Sequence, residues 1–109
     1  MELAFHSKAL RTICEMEFQA DLEFGAAVAR VLRHRLADLR AARSAMDLVA
    51  GRPRALDEPD GDCMVVDLCD GRRIVFAANH TNNPMTEANH VDWARVNRVK
   101  ILRIEADNG

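Results

Sequence analysis

Tyrosine is absent from this chain, and the remaining aromatics are few: four phenylalanines and one tryptophan in 109 residues. No phenol is therefore available to exchange a proton. Cysteine occurs at Cys14, Cys63 and Cys69, an odd number with no Cys-x-x-Cys pair, which argues against a disulfide scaffold and a structural zinc site and leaves three reduced thiols. No run of about 20 apolar residues is present to span a bilayer. Met1-Glu2-Leu3-Ala4-Phe5 lacks the basic start and long apolar stretch of a secretory leader, so a cytoplasmic protein without membrane attachment is expected. Glycine-rich phosphate loops, His-Glu-x-x-His, Gly-x-Ser-x-Gly and calcium-loop patterns are missing too, which removes whole enzyme classes. His6, His34, His80 and His90 stand at no metal-ligand spacing, so neither a metal nor another cofactor is expected.

What is present belongs to one globular unit. Hydrophobic residues at 49% and charged residues at 29% are values of a folded domain, and the length suits one core spanning residues 1–109. The net charge of -2 conceals a separation of signs. Arg30, Arg33, Arg35, Arg40, Arg43, Arg52 and Arg54 face only Asp38 and Asp47 along the middle of the chain, and Asp57, Glu58, Asp60, Asp62, Asp67 and Asp70 follow before the next basic residue, Arg72. A basic face with an acidic rim is one outcome, and a merely solvated helix face is the other.

Apolar spacing predicts the elements. Leu3 to Phe5 reads as a short strand, and Ser7 as the N-cap of a helix carrying Leu10, Ile13 and Cys14. Phe24, Val28, Val31, Leu32, Leu36 and Leu39 form a stripe that predicts a second helix from about Asp21 to Arg43, giving a helical hairpin. Gly51-Arg52-Pro53 ends the helical part, Arg54 to Leu56 reads as a strand or strand edge, and Cys63 to Leu68 as a central strand. Asp70-Gly71 is a strong hairpin signal before Arg72 to Ala77, where Ile74 and Phe76 should face the helices and Arg73 and Val75 the other side. The polar stretch Asn79 to His90 is a lid or slack, and Val96 to Ile104 a last strand. The order predicts an α+β fold: a largely antiparallel, partly mixed sheet of four to five strands with an N-terminal helical hairpin packed on one face.

Arg52, Arg54, Arg72 and Arg73 are the chemistry-bearing cluster. A desolvated guanidinium needs an anionic partner, and its planar fork suits a phosphate, so either a nucleic-acid backbone or the acidic run Asp57 to Asp62 should meet them.

Four blocks in order, Gly61-Asp62 with Val65-Val66-Asp67-Leu68, Gly71-Arg72-Arg73-Ile74-Val75-Phe76, Val91-Asp92-Trp93-Ala94-Arg95-Val96, and Val99 to Ile104, resemble the RelE/HigB-type toxins of bacterial type II toxin–antitoxin systems, in particular the plasmid-maintenance killer or killer-suppression branch. The resemblance covers nearly the whole chain. It implies a RelE-like fold and a metal-independent endoribonuclease, an mRNA interferase that cuts messenger RNA on the ribosome and is neutralised by a cognate helix-turn-helix antitoxin. Arg73 matches the family's strand arginine and would contact the scissile phosphate. Arg54 falls near the family's His-x-Leu block and would bind phosphate, with Arg52 and Arg72 as outer RNA contacts. The chain departs from the pattern at Asp57 and Glu58, where a basic residue is common, and at its tail Ala106-Asp107-Asn108-Gly109, where Asn108 stands in place of the family's histidine. Asn108 can hydrogen-bond substrate but not exchange a proton, which leaves Asp107 as a substitute base and His80 or His90 as loop donors. Two further readings accompany the enzyme: a catalytically degenerate member that binds antitoxin or RNA without cleaving, and a gyrase-directed toxin like the ParE-type relatives of the fold.

Overall fold

The computed structural model describes residues 1–58 and 61–106. The chain runs β1 (Glu2–Phe5), α1 (Lys8–Glu15), α2 (Glu17–Phe24), α3 (Ala26–Ala41), a 3-10 turn at Ala45–Asp47, β2 (Arg54–Glu58), β3 (Gly61–Asp67), β4 (Arg72–Ala78), a second 3-10 turn at Trp93–Arg95, and β5 (Arg98–Ala106). It is an α+β protein with its helices on one face of a five-stranded mixed sheet of order β1-β5-β4-β3-β2. β1 lies parallel to β5, and every other pairing is antiparallel.

Local chemistry accounts for the helical half. Ser7 caps α1 by accepting from the Leu10 amide at 3.1 Å, which satisfies one of the four donors a helix start leaves unpaired. The second helix expected from Asp21 to Arg43 is in fact two, because Gly25 adopts φ 86° and turns the chain between α2 and α3. The apolar stripe runs across that break, so periodicity alone reads it as continuous. Arg33 on α3 reaches Glu17 and Asp21 on α2, at 3.5 and 3.7 Å, and ties the two together.

Alternation along the strands divides the sheet residues between two faces. Met64, Val66, Ile74, Phe76, Val99 and Ile101 pack against Leu32, Leu36 and Leu39 of α3 in the main core, and Phe76 meets Trp93 edge to face with ring centres 6.1 Å apart. Burying each such aliphatic or aromatic side chain contributes roughly 1.5–3 kcal/mol. Cys63, Val65 and Val75 lie on the opposite face with Leu56, Ala77 and Leu102 packed around them. Ile74 and Phe76 thus face the helices and Val75 faces away, as the strand pattern predicts.

Two connections differ in kind. Asp70 and Gly71 both have positive φ, 55° and 71°, in the turn closed by the Arg72 amide donating to the Cys69 carbonyl; that backbone matches the twist of the strands it joins. The long polar connection is tied down rather than slack. Met85 bridges Val91, Arg95 holds the Asp92 carboxylate at 2.8 Å and the Met85 carbonyl at 3.0 Å, and the Val91 amide donates to Asp62 at 2.7 Å.

Candidate nucleic-acid interface

β4 begins with two adjacent arginines, and the period of two sends them to opposite faces. Arg73 emerges on the face without helices. Arg72 turns to the helical side, where its guanidinium stands 5.1 Å above the Phe24 ring, a cation–π contact. Arg72 was expected to be an outer RNA contact; the structure places it across the sheet from Arg73, so the two do not join one surface.

Register brings the remaining arginines together. Asp67 pairs with Arg73 across β3 and β4, and Arg73 pairs with Glu105 across β4 and β5. Between Val75 and Phe76 the register with β5 shifts: Val75 is opposite Arg103 and Phe76 opposite Ile101, which leaves Leu102 as the extra residue of a bulge. Ile101 and Ile104 both pack in the main core while Leu102 joins the cluster on the other face. The bulge therefore turns Leu102 and Arg103 to the open side together, and Arg103 donates from Nε to Glu105 Oε1 at 3.1 Å. The same oxygen accepts from Arg73 at 3.4 Å.

At the other side of the row, β2 supplies Arg54 and the turn before it supplies Arg52. Gly51 has φ 87° and Arg52 φ 49°; two successive left-handed residues fold the chain so that the Gly51 carbonyl accepts from the Asp67 amide at 2.6 Å. Arg52 Nε donates to Asp67 Oδ2 at 2.7 Å, and both terminal nitrogens of Arg54 donate to Asp67 Oδ1 at 3.2 Å. Reading across the sheet, the signs alternate: Arg52 and Arg54, Asp67, Arg73, Glu105, Arg103. Arg73 is the most enclosed of these arginines, its side chain 17% exposed, whereas Arg52 is 76% exposed.

Burial alone would raise the Asp67 pKa, but the hydrogen bonds and charges of Arg52 and Arg54 outweigh it and hold the carboxyl below its ordinary range. Asp67 is thus an anion at neutral pH. It lies outside the run Asp57 to Asp62, where the intramolecular partner was expected; Asp62 instead serves the Val91 amide and stands 3.6 Å from His90.

No family model, curated protein or solved structure matches this chain.

The row has the donors to hold a phosphate and to stabilise charge on its oxygens. It is not a stacking platform: Phe5, Phe24, Phe76 and Trp93 pack in the main core, and Phe18 projects from α2. His80 accepts from the Asn97 amide at 3.2 Å and His90 sits at the opposite end of β3 from Asp67, so neither loop histidine joins the arginines. Asp107 and Asn108 lie outside the described residues. Among the described residues no three His, Cys, Asp or Glu side chains gather as metal ligands, and no helix is long and apolar enough to cross a membrane.

Of the expected site residues, Arg52, Arg54 and Arg73 come together and Arg72 does not. Asp67, Arg103 and Glu105 were missed. Asp67 was only partly within reach of the sequence: a plain two-residue Asp70-Gly71 turn sets Leu68 opposite Arg73, and the extra residue where Leu68 and Cys69 both bond to Arg72 moves Asp67 there instead. Arg103 was not, because the bulge that re-aims it has no signature in the apolar pattern of Val99 to Ile104.

Proposed function

We propose that this protein is a toxin of a bacterial toxin–antitoxin module, related to the RelE/HigB type, that acts in the cytoplasm on messenger RNA at the ribosome and is held inactive by a helix-turn-helix antitoxin. The observation that carries the reading is the row of guanidinium groups on the helix-free face of the sheet, built from β2, β4 and β5 around Arg73. In metal-independent cleavage the ribose 2′-hydroxyl attacks the adjacent phosphate, so the protein must align the attack and stabilise the phosphoryl oxygens. Arg73 and Arg54 bind that phosphate in this reading, Arg52 and Arg103 extend the grip along the backbone, and the roles of base and of hydrogen-bonding group toward the substrate fall to Asp107 and Asn108, respectively.

A second reading rests on its own observation. Among the described residues neither loop histidine bonds to the arginine row, and Asn108 replaces the tail histidine of the family pattern, so a protein that binds RNA or antitoxin without cutting is supported by the same surface. Induced expression separates the possibilities. A ribonuclease arrests growth and leaves shortened transcripts in ribosome-associated RNA, and Arg73→Ala lowers cleavage by about 10²–10³, the worth of a lost charge-stabilising donor. A binding-only protein leaves transcripts intact yet co-purifies with its antitoxin, and a gyrase-directed toxin leaves transcripts intact with DNA damage. Undiminished toxicity of Arg73→Ala would remove the proposed mechanism.

A further inference from the structure

The carboxylate of Asp67 engages the Arg52 and Arg54 forks in the way a phosphate would, with oxygens on guanidinium N–H groups at 2.7 and 3.2 Å. It cannot easily be displaced. Asp67 is the last residue of β3, its side chain is only 18% exposed, its amide donates to the Gly51 carbonyl and its own carbonyl accepts from Arg35 Nε at 3.0 Å. Arg52, by contrast, is mostly in solvent on a left-handed turn. An incoming phosphate therefore meets a solvent-exposed guanidinium that already has a fixed anion behind it.

We propose that Asp67 is a built-in competitor for RNA phosphate, occupying the Arg52–Arg54 pair and keeping the affinity of this end of the row below what its arginines would otherwise deliver. The inference rests on the phosphate-binding reading of the sheet face and deepens it: RNA engages the Arg52–Arg54 end only against the charge of Asp67. The alternative role, an organiser that aims the two arginines at the RNA, predicts the opposite change on neutralisation.

The test is the affinity of a short oligouridylate for Asp67→Asn, measured by fluorescence anisotropy over a range of salt beside wild type, Arg73→Ala and Glu23→Gln. Glu23 is exposed on α2, away from the row, and its variant reports the effect of bulk charge alone. Competition predicts binding about tenfold tighter in Asp67→Asn, the worth of one screened contact between charges near a protein surface. It also predicts a log–log salt slope steeper by about 0.7 for each phosphate newly engaged on a single strand. Glu23→Gln should bind as wild type does. Asp67→Ser, which removes the charge with a smaller side chain, is read in the same way, and thermal unfolding confirms that the compared variants are folded. Equal or weaker binding by both Asp67 variants, or equal tightening by Glu23→Gln, overturns the competitor role. Failure of wild type and both Asp67 variants to bind RNA overturns the reading of the face together with it. Binding that Arg73→Ala abolishes but the Asp67 variants do not tighten overturns the competitor role alone.

Discussion

Gly51 carries more structural consequence than its size suggests. A Cβ there would lie 2.8 Å from both Arg35 Nε and the Asp67 carbonyl, at φ 87° where a side chain is already strained. Gly51→Ala should cost at least about 1–3 kcal/mol from the backbone alone, read as a lowered denaturant midpoint, and should loosen Arg52 from Asp67. The Asp67 carboxylate sets an acid limb on stability. Its folded pKa lies below the ordinary 3.8, so the unfolded chain binds the proton first as pH falls. The contribution is whole above about pH 5 and is lost as pH falls through the folded value. Urea titrations of wild type and Asp67→Asn between pH 7 and pH 3 should converge toward the acid end. Burial pushes the Cys14 thiol up to about 11, while Cys69 is only half-buried. The thiolate is the reactive form, so a thiol reagent at neutral pH should label Cys69 in the native protein and Cys14 only on unfolding.

Among the elements, the break between α2 and α3 depends on one backbone conformation. Gly25 has open space around a would-be Cβ but φ 86° and ψ 160°, a region in which other residues are strained. Gly25→Ala should therefore lower stability by about 1–3 kcal/mol through the backbone rather than through packing. Leu36→Ala, in the middle of α3 and fully buried against the sheet, should cost about 2–5 kcal/mol by leaving a cavity. Thermal melts of the two variants measure both. The strand pattern was legible from composition: β3 and β4, their turn, and the side to which each of Ile74, Val75 and Phe76 points all follow from alternation. The helix pattern was legible in period but not in continuity, because Phe24 and Val28 keep their places in the stripe across the glycine. The bulge in β5 was illegible for a related reason. Ile101 and Ile104 face the core three residues apart, a spacing that alternation does not produce and that only a local shift of register explains.

At the scale of the whole molecule, the sheet is a partition: one side buries the aliphatic core beneath the helices and the other presents alternating charge. Arg52 lies on the second side with its side chain mostly in solvent, so Arg52→Ala should retain a near-native melting temperature while reducing RNA binding, a combination that circular dichroism and anisotropy together check. The sequence by itself determined which residues could be buried, where β3 and β4 turn, and that Arg72 and Arg73 must point to opposite faces, because these follow from hydrophobic period, turn chemistry and strand geometry within a few residues. Tertiary structure alone decided which anions the arginines meet. Asp67 and Glu105 lie 13 residues from Arg54 and 32 from Arg73, respectively, and nothing local relates them. Their contact is set by strand order, by register, and by a one-residue bulge, all of which are settled when the whole apolar face closes on the helices.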